Sequence, residues 1–193
     1  KFGGTSLSDG TCLERVCALI HQNACSNLIV VVSAMAGVTD SLFRVLQTKN
    51  LEPMKPLMAL YQQTIEKLIK DPAVFRSLVD SFESDIEKIK QIFTSLESDQ
   101  LSHAEVSIIT GFGEVWSARL LISLLVQIKD QDPLMREIHE LNARKIINVS
   151  HGAMGPIVDW NKSQLGFEKE KNQNTGILVM GGFLATDLDT MPT

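Results

Sequence analysis

Long apolar runs, clustered basic residues and paired cysteines are all missing from this sequence, and each absence narrows the field. The longest nearly apolar stretch, residues 28–38, contains Ser33 and Gly37. It falls far short of the roughly 20 residues that cross a bilayer, so no membrane span is expected. Eighteen Lys and Arg are scattered against 23 Asp and Glu, for a net charge of −5. That pattern offers no electrostatic footprint for a phosphate backbone, and nucleic acid is not expected as a partner. Cys12, Cys17 and Cys25 sit in one short segment without a CxxC pair. This argues against a disulfide framework or a zinc site, and they read as small core residues of a cytoplasmic protein. His21, His103, His139 and His151 show no metal-ligand spacing, so no metal site is expected on the chain. No basic region followed by an apolar stretch opens the sequence, so no signal peptide is predicted. Internal repeats, low-complexity tracts and dividing linkers are also lacking.

What is present is 193 residues, 44% of them hydrophobic, enough for one domain with a substantial core. Leu13, Val16, Cys17, Ile20 and Ala24 recur at helical spacing within 11–25 and predict an amphipathic helix. Residues 28–32 are a β-branched run entering a loop of small residues, a buried strand, after which Thr39 and Asp40 are placed to cap a helix to about Thr48. Apolar residues at a 3.6-residue period predict a helix ending before Pro72 and a long one from Phe75 to Leu96, together a core-facing hairpin. Ser102 and Glu105 form a capping box for a helix that is apolar almost all round from Val115 to Ile128, with Gly111, Gly113 and Glu114 expected to interrupt it. A short strand is expected near 135–141, a polar, turn-rich segment over 151–174, and a strand over 176–180 that runs into Gly181-Gly182-Phe183. Acidic clusters at 168–170 and 187–189 read as solvated loops.

Strands that each feed a small-residue turn and are separated by helices predict an α/β sandwich around a mostly parallel sheet. Ligands in such folds gather at the carboxyl ends of strands, so the loops at 1–6, 33–39 and 181–187 should share one edge. Lys1-Phe2-Gly3-Gly4-Thr5-Ser6 is the most informative of them. Its glycines allow backbone amides, and the positive end of a following helix, to face an anion, with a lysine beside it. The order differs from a P-loop, whose lysine follows the glycines. A plain Gly-Gly turn with a surface lysine fits the same letters. Glu114, set between Gly113 and an apolar helix, is costly to bury unless a cation meets it. A ligand ammonium is one such cation. The pattern alone favours a solvated glutamate or an ion pair with Arg119. Ser33 and Thr39 are placed to grip a carboxylate, although helix capping explains Thr39 equally well.

Lys1 to Ser6, then Val32-Ser-Ala-Met-Ala-Gly-Val-Thr39, then Gly113-Glu114 and Gly182-Phe183, in that order and at similar spacing, resemble aspartate kinase, a branch of the amino acid kinase family. The resemblance implies an incomplete three-layer α/β/α sandwich, with 1–193 forming the substrate-side N-terminal part of a catalytic domain. It implies ATP-dependent phosphorylation of the β-carboxylate of L-aspartate with Mg²⁺, in the route to lysine, threonine and methionine, by a cytoplasmic homo-oligomer. Lys1 would stabilise the transferring phosphoryl group, Gly3 and Gly4 would donate amides to it, and Thr39 and Glu114 would bind aspartate. Glu114 would receive the α-ammonium, and Ser33 and Phe183 would line the same pocket. The strand before Lys1, the family's LGRGGSD segment, the nucleotide-binding half and the regulatory ACT domains are absent from these letters. On that implication the segment is a fragment and inactive alone. Another amino acid kinase, such as an acetylglutamate or glutamate 5-kinase type, and a non-enzymatic ligand-binding module remain alternatives.

Overall fold

A computed structural model describes residues 1–193 except 25, 97–99, 153–154, 174, 188–191 and 193. Cys25 and Asp189, both read from the sequence, lie outside the described residues.

Strands β1 (Leu28–Val32), β2 (Ile138–Glu140) and β5 (Ile177–Gly181) form a parallel sheet in the order β1-β5-β2. Val32 pairs with Gly181, so β1 and β5 end level with each other. Phe2 extends the sheet as a bridge beside Val32: its N–H donates to the Val31 carbonyl at 2.8 Å, and its carbonyl accepts from Ser33 N–H at 3.1 Å. Both faces of β5 are covered. Ile177 and Val179 point into the main core, and Leu178, one residue out of phase, packs with Leu141 and Ile146 on the other side.

Helices α1 (Gly10–His21), α2 (Val38–Thr48), α3 (Lys55–Leu68), α4 (Pro72–Thr94) and α5 (His103–Lys129) build the first layer, and α6 (Ala143–Ile146) and α7 (Trp160–Gln173) the second. This is the α/β sandwich expected from the alternation of strands and helices, with the three layers that the resemblance implies. The capping box forms as predicted: Glu105 N–H donates to Ser102 Oγ at 3.2 Å, and Ser102 N–H to Glu105 Oε2 at 2.7 Å. By length and composition α5 is apolar enough to cross a membrane, but its residues pack against the sheet and α1, α2 and α4, as a core helix does.

Three expectations are corrected. Gly111 and Gly113 do not interrupt α5, which runs unbroken through both. They are sites of close approach: a Cβ on Gly113 would lie 2.8 Å from the Ala34 Cβ, and one on Gly111 would overlap Nη2 of Arg144. Arg119 pairs with Asp85 on α4, not with Glu114. Asp85, 1% exposed, also accepts from Trp116 Nε1 at 3.2 Å and Lys88 Nζ at 3.0 Å. The span 151–174 is not a run of turns. Strand β3 (Asn148–Gly152) pairs antiparallel with β4 (Gly155–Val158) and parallel with β6 (Thr186–Asp187), and α7 follows, carrying the acidic cluster at 168–170. The inward stripe of α7 is Ser163, Gly166 and Phe167, too small and mixed to register as apolar periodicity.

Candidate active site

The level ends of β1 and β5 release two loops on the same edge, and the start of the chain adds a third. Between them and the middle of α5 lies a cleft of about 700 Å³ lined by Gly4, Thr5, Ser33, Thr39, Glu114 and Phe183 among others. Five residues singled out from the sequence therefore meet in one cavity: Gly4, Ser33, Thr39, Glu114 and Phe183. Lys1 and Gly3 stand outside its lining. The exposed Lys1 lies beside Gly182, where its Cε is 3.9 Å from the position a Cβ would take, close enough to act electrostatically on Glu114.

The local backbone explains this convergence. Gly4 brings the first loop onto the second, since a Cβ there would sit 2.8 Å from the Ala34 carbonyl oxygen. Nothing crowds Gly3. The segment that follows the glycines directly is the one-turn 3-10 helix Gly4–Leu7, not the long helix expected there. Helix α1 starts later, and its first turn is capped by Asp9, which accepts from Cys12 N–H at 2.9 Å. Gly37 takes φ +79° and ends the second loop as the N-cap of α2, without a side-chain capping bond. Thr39 is thus in the first turn, not at the cap, and it lines the cleft.

Glu114 is the charged floor of the cleft and is buried. Its Oε2 accepts the Phe183 N–H at 2.5 Å, while the Phe183 ring itself is exposed. Burial pushes this carboxyl above its ordinary range; the Phe183 amide, Lys1, the Gly182 amide and Arg144 each pull it back. The resulting site is a carboxylate that accepts a backbone amide at the floor of a cleft walled by glycines, hydroxyl residues and apolar side chains. It suits a ligand bearing both a cation and anionic groups.

Sequence reading passed over Phe43 and Thr110 and gave no role to Leu184, all of which also line the cleft. These apolar and hydroxyl residues carry no spacing signal. Arg144 was missed too; it sits in a one-turn helix behind Asn142, a context indistinguishable from an ordinary surface turn. Among the described residues no three His, Cys, Asp or Glu side chains come together as metal ligands.

The model of the amino acid kinase family matches residues 1–131. The bifunctional aspartokinase/homoserine dehydrogenase 2 of Escherichia coli is 34% identical over 134 residues, 66% of this chain and 16% of that protein. An aspartokinase of Chlamydia trachomatis is 27% identical over 95% of this chain and 39% of its own length. Two solved structures of E. coli aspartokinase III cover this whole chain and 42% of theirs. One is in complex with lysine and aspartate (TM-score 0.79, 20% identity) and the other with aspartate and ADP (TM-score 0.74, 18% identity). The chain thus spans well under half the length of these relatives.

Proposed function

This chain belongs to the amino acid kinase family, and on that premise we propose that it is the substrate-side part of an aspartate kinase catalytic domain. The reaction is transfer of the γ-phosphoryl group of ATP to the β-carboxylate of L-aspartate, a step toward lysine, threonine and methionine. The observation that carries this reading is the buried Glu114 carboxylate at the floor of a cleft that also presents Ser33 and Thr39. An α-amino acid supplies an ammonium for the first and a carboxylate for the hydroxyls. The aspartokinase relatives support the choice of aspartate.

In this reading Glu114 receives the α-ammonium, which removes the cost of a buried unpaired charge. Thr39 binds the same substrate, and Ser33 and Phe183 shape its pocket. Lys1 stands at the edge of the cleft, where phosphoryl transfer builds negative charge, and stabilises that charge together with amides of Gly3 and Gly4. Mg²⁺ would be held with the nucleotide phosphates, where it would offset their negative charge. The nucleotide-binding half is assigned to further chain, in a cytoplasmic homo-oligomer.

The test is an acceptor panel offered with ATP and Mg²⁺ to the complete natural chain that carries this sequence. Acyl phosphate is trapped with hydroxylamine. L-Aspartate should be the preferred acceptor over L-glutamate and N-acetyl-L-glutamate. Preference for another acid, or product from none, contradicts the proposal.

A further inference from the structure

On the other flank of α5 from the substrate cleft lies a second cavity of about 190 Å³, walled by α4, α5, the carboxyl ends of β2 and β5 and the turn into α6. Among the described residues only Leu184 lines both cavities. The proposed reaction uses none of the charged side chains of this second one. Three cations reach it from three elements: Lys88 from α4, Arg119 from α5 and Arg144 from α6. Two acids, Asp85 and Glu140, line it as well. The acids do not balance the cations. Asp85 is 1% exposed and both its oxygens are engaged, Oδ1 by Lys88 and Oδ2 by Arg119 and Trp116 Nε1. Glu140 is exposed, so water screens it at the rim. Half-buried Arg144 pairs with no acid among the described residues: its Nη2 donates to the Ser107 carbonyl at 2.9 Å, and its Nε is buried without a hydrogen-bond partner. Arg119 uses only Nη1 there, on Asp85, and the rest of its fork is open to an acceptor.

We propose that this cavity is a second binding site, for a small phosphate-class oxyanion held by Lys88, Arg119 and Arg144. Three cations against the one buried carboxylate leave an excess of two positive charges around it. A phosphate group carries close to two negative charges at neutral pH and offers three or more acceptor oxygens, which suits donors arriving from three elements. A carboxylate has one charge and two oxygens in a plane, and leaves part of that excess unmet. The cavity is smaller than the roughly 300 to 1,000 Å³ of sites for larger organic ligands, so the occupant is small. Inorganic phosphate and a small phosphate monoester share this chemistry. The site stands on its own lining and does not depend on the assignment of aspartate to the cleft.

Calorimetric titration of the complete natural chain at low ionic strength, with inorganic phosphate, methyl phosphate and acetate as the probes, tests it. One of the two phosphates should bind with a Kd of about 1 mM or tighter, and acetate much more weakly. Tighter binding of inorganic phosphate marks a site for the free anion, and tighter binding of methyl phosphate a site for an ester; either supports the proposal. Arg119→Lys, which keeps the charge and the Asp85 pair but loses the open fork, should weaken phosphate binding about tenfold. Two substitutions of exposed side chains leave the fold intact and should act in opposite directions. Lys88→Gln should weaken phosphate about two- to fivefold, and Glu140→Gln should tighten it by a similar factor. Three results overturn the site: no binding of either phosphate, acetate bound as tightly as both, or phosphate binding that ignores all three variants. Binding that Lys1→Ala abolishes while Lys88→Gln and Arg119→Lys leave it unchanged belongs to the substrate cleft and overturns it too.

Discussion

The amide N–H of Phe183 donates to Oε2 of Glu114 at 2.5 Å, joining the end of β5 to the middle of α5. The contact uses the Phe183 backbone, so it is open to any residue there that keeps an amide N–H, which excludes only proline. Its consequence is that a carboxylate from the core helix is aimed at the edge where the loops after β1 and β5 meet.

Glu114→Gln should stabilise the free fold at neutral pH. A carboxyl whose folded value lies above its unfolded value, near 4.5, leaves the folded state holding more protons between the two. Wild-type stability therefore falls as pH rises through that window. Denaturant unfolding should show the variant gaining on the wild type from about pH 4.5 upward and then levelling off. A difference that shrinks over the same range contradicts the burial cost assigned here.

Lys1→Ala in the complete natural chain should lower kcat roughly 100- to 1000-fold, with a much smaller change in the KM for aspartate. The lysine stands outside the cleft lining, so it should act on charge that grows in the transition state. Steady-state kinetics with a large KM change and intact kcat would remove Lys1 from that role.

Gly113→Ala should destabilise the fold by about 1 to 3 kcal/mol, because its methyl would meet Ala34 Cβ at 2.8 Å and Val38 Cγ1 at 3.0 Å. Separation of α5 from the second loop should also open the cleft. Urea denaturation and aspartate titration of one preparation report both effects, and an unchanged midpoint would mean that the loop yields freely.

Asp85→Ala should cost about 3 kcal/mol without altering ligand selectivity, since it strands the Trp116 indole N–H and the half-buried Arg119. Lys88 is solvated and adds little. A loss below about 1 kcal/mol would show that the network relaxes onto water.

Much of this architecture is legible in the letters because apolar periodicity and cap chemistry are local. Leu28 to Val32, the Ser102–Glu105 box and the helix ending before Pro72 all appear as read. The Lys1 to Ser6 turn, Ser33 and Glu114 were visible as glycine-flanked or strand-end polar groups. What stayed hidden depends on partners far away in sequence. The glycines of α5 look like helix breakers until Ala34 and Arg144 are seen pressed against them. Arg119 lies only five residues from Glu114, yet its partner is Asp85, 34 residues away on another helix. Helix α7 packs through Ser163 and Gly166, whose small side chains carry no hydropathy signal.

The claim that Glu114 exists to receive an ammonium is tested most directly by calorimetric titration of the complete natural chain with L-aspartate and with succinate, which lacks only the amino group. Wild type should bind aspartate at least about 100-fold more tightly than succinate, and Glu114→Gln should erase that preference by weakening aspartate alone. Equal affinity for the two acids in the wild type, or a preference that survives in Glu114→Gln, would contradict the account.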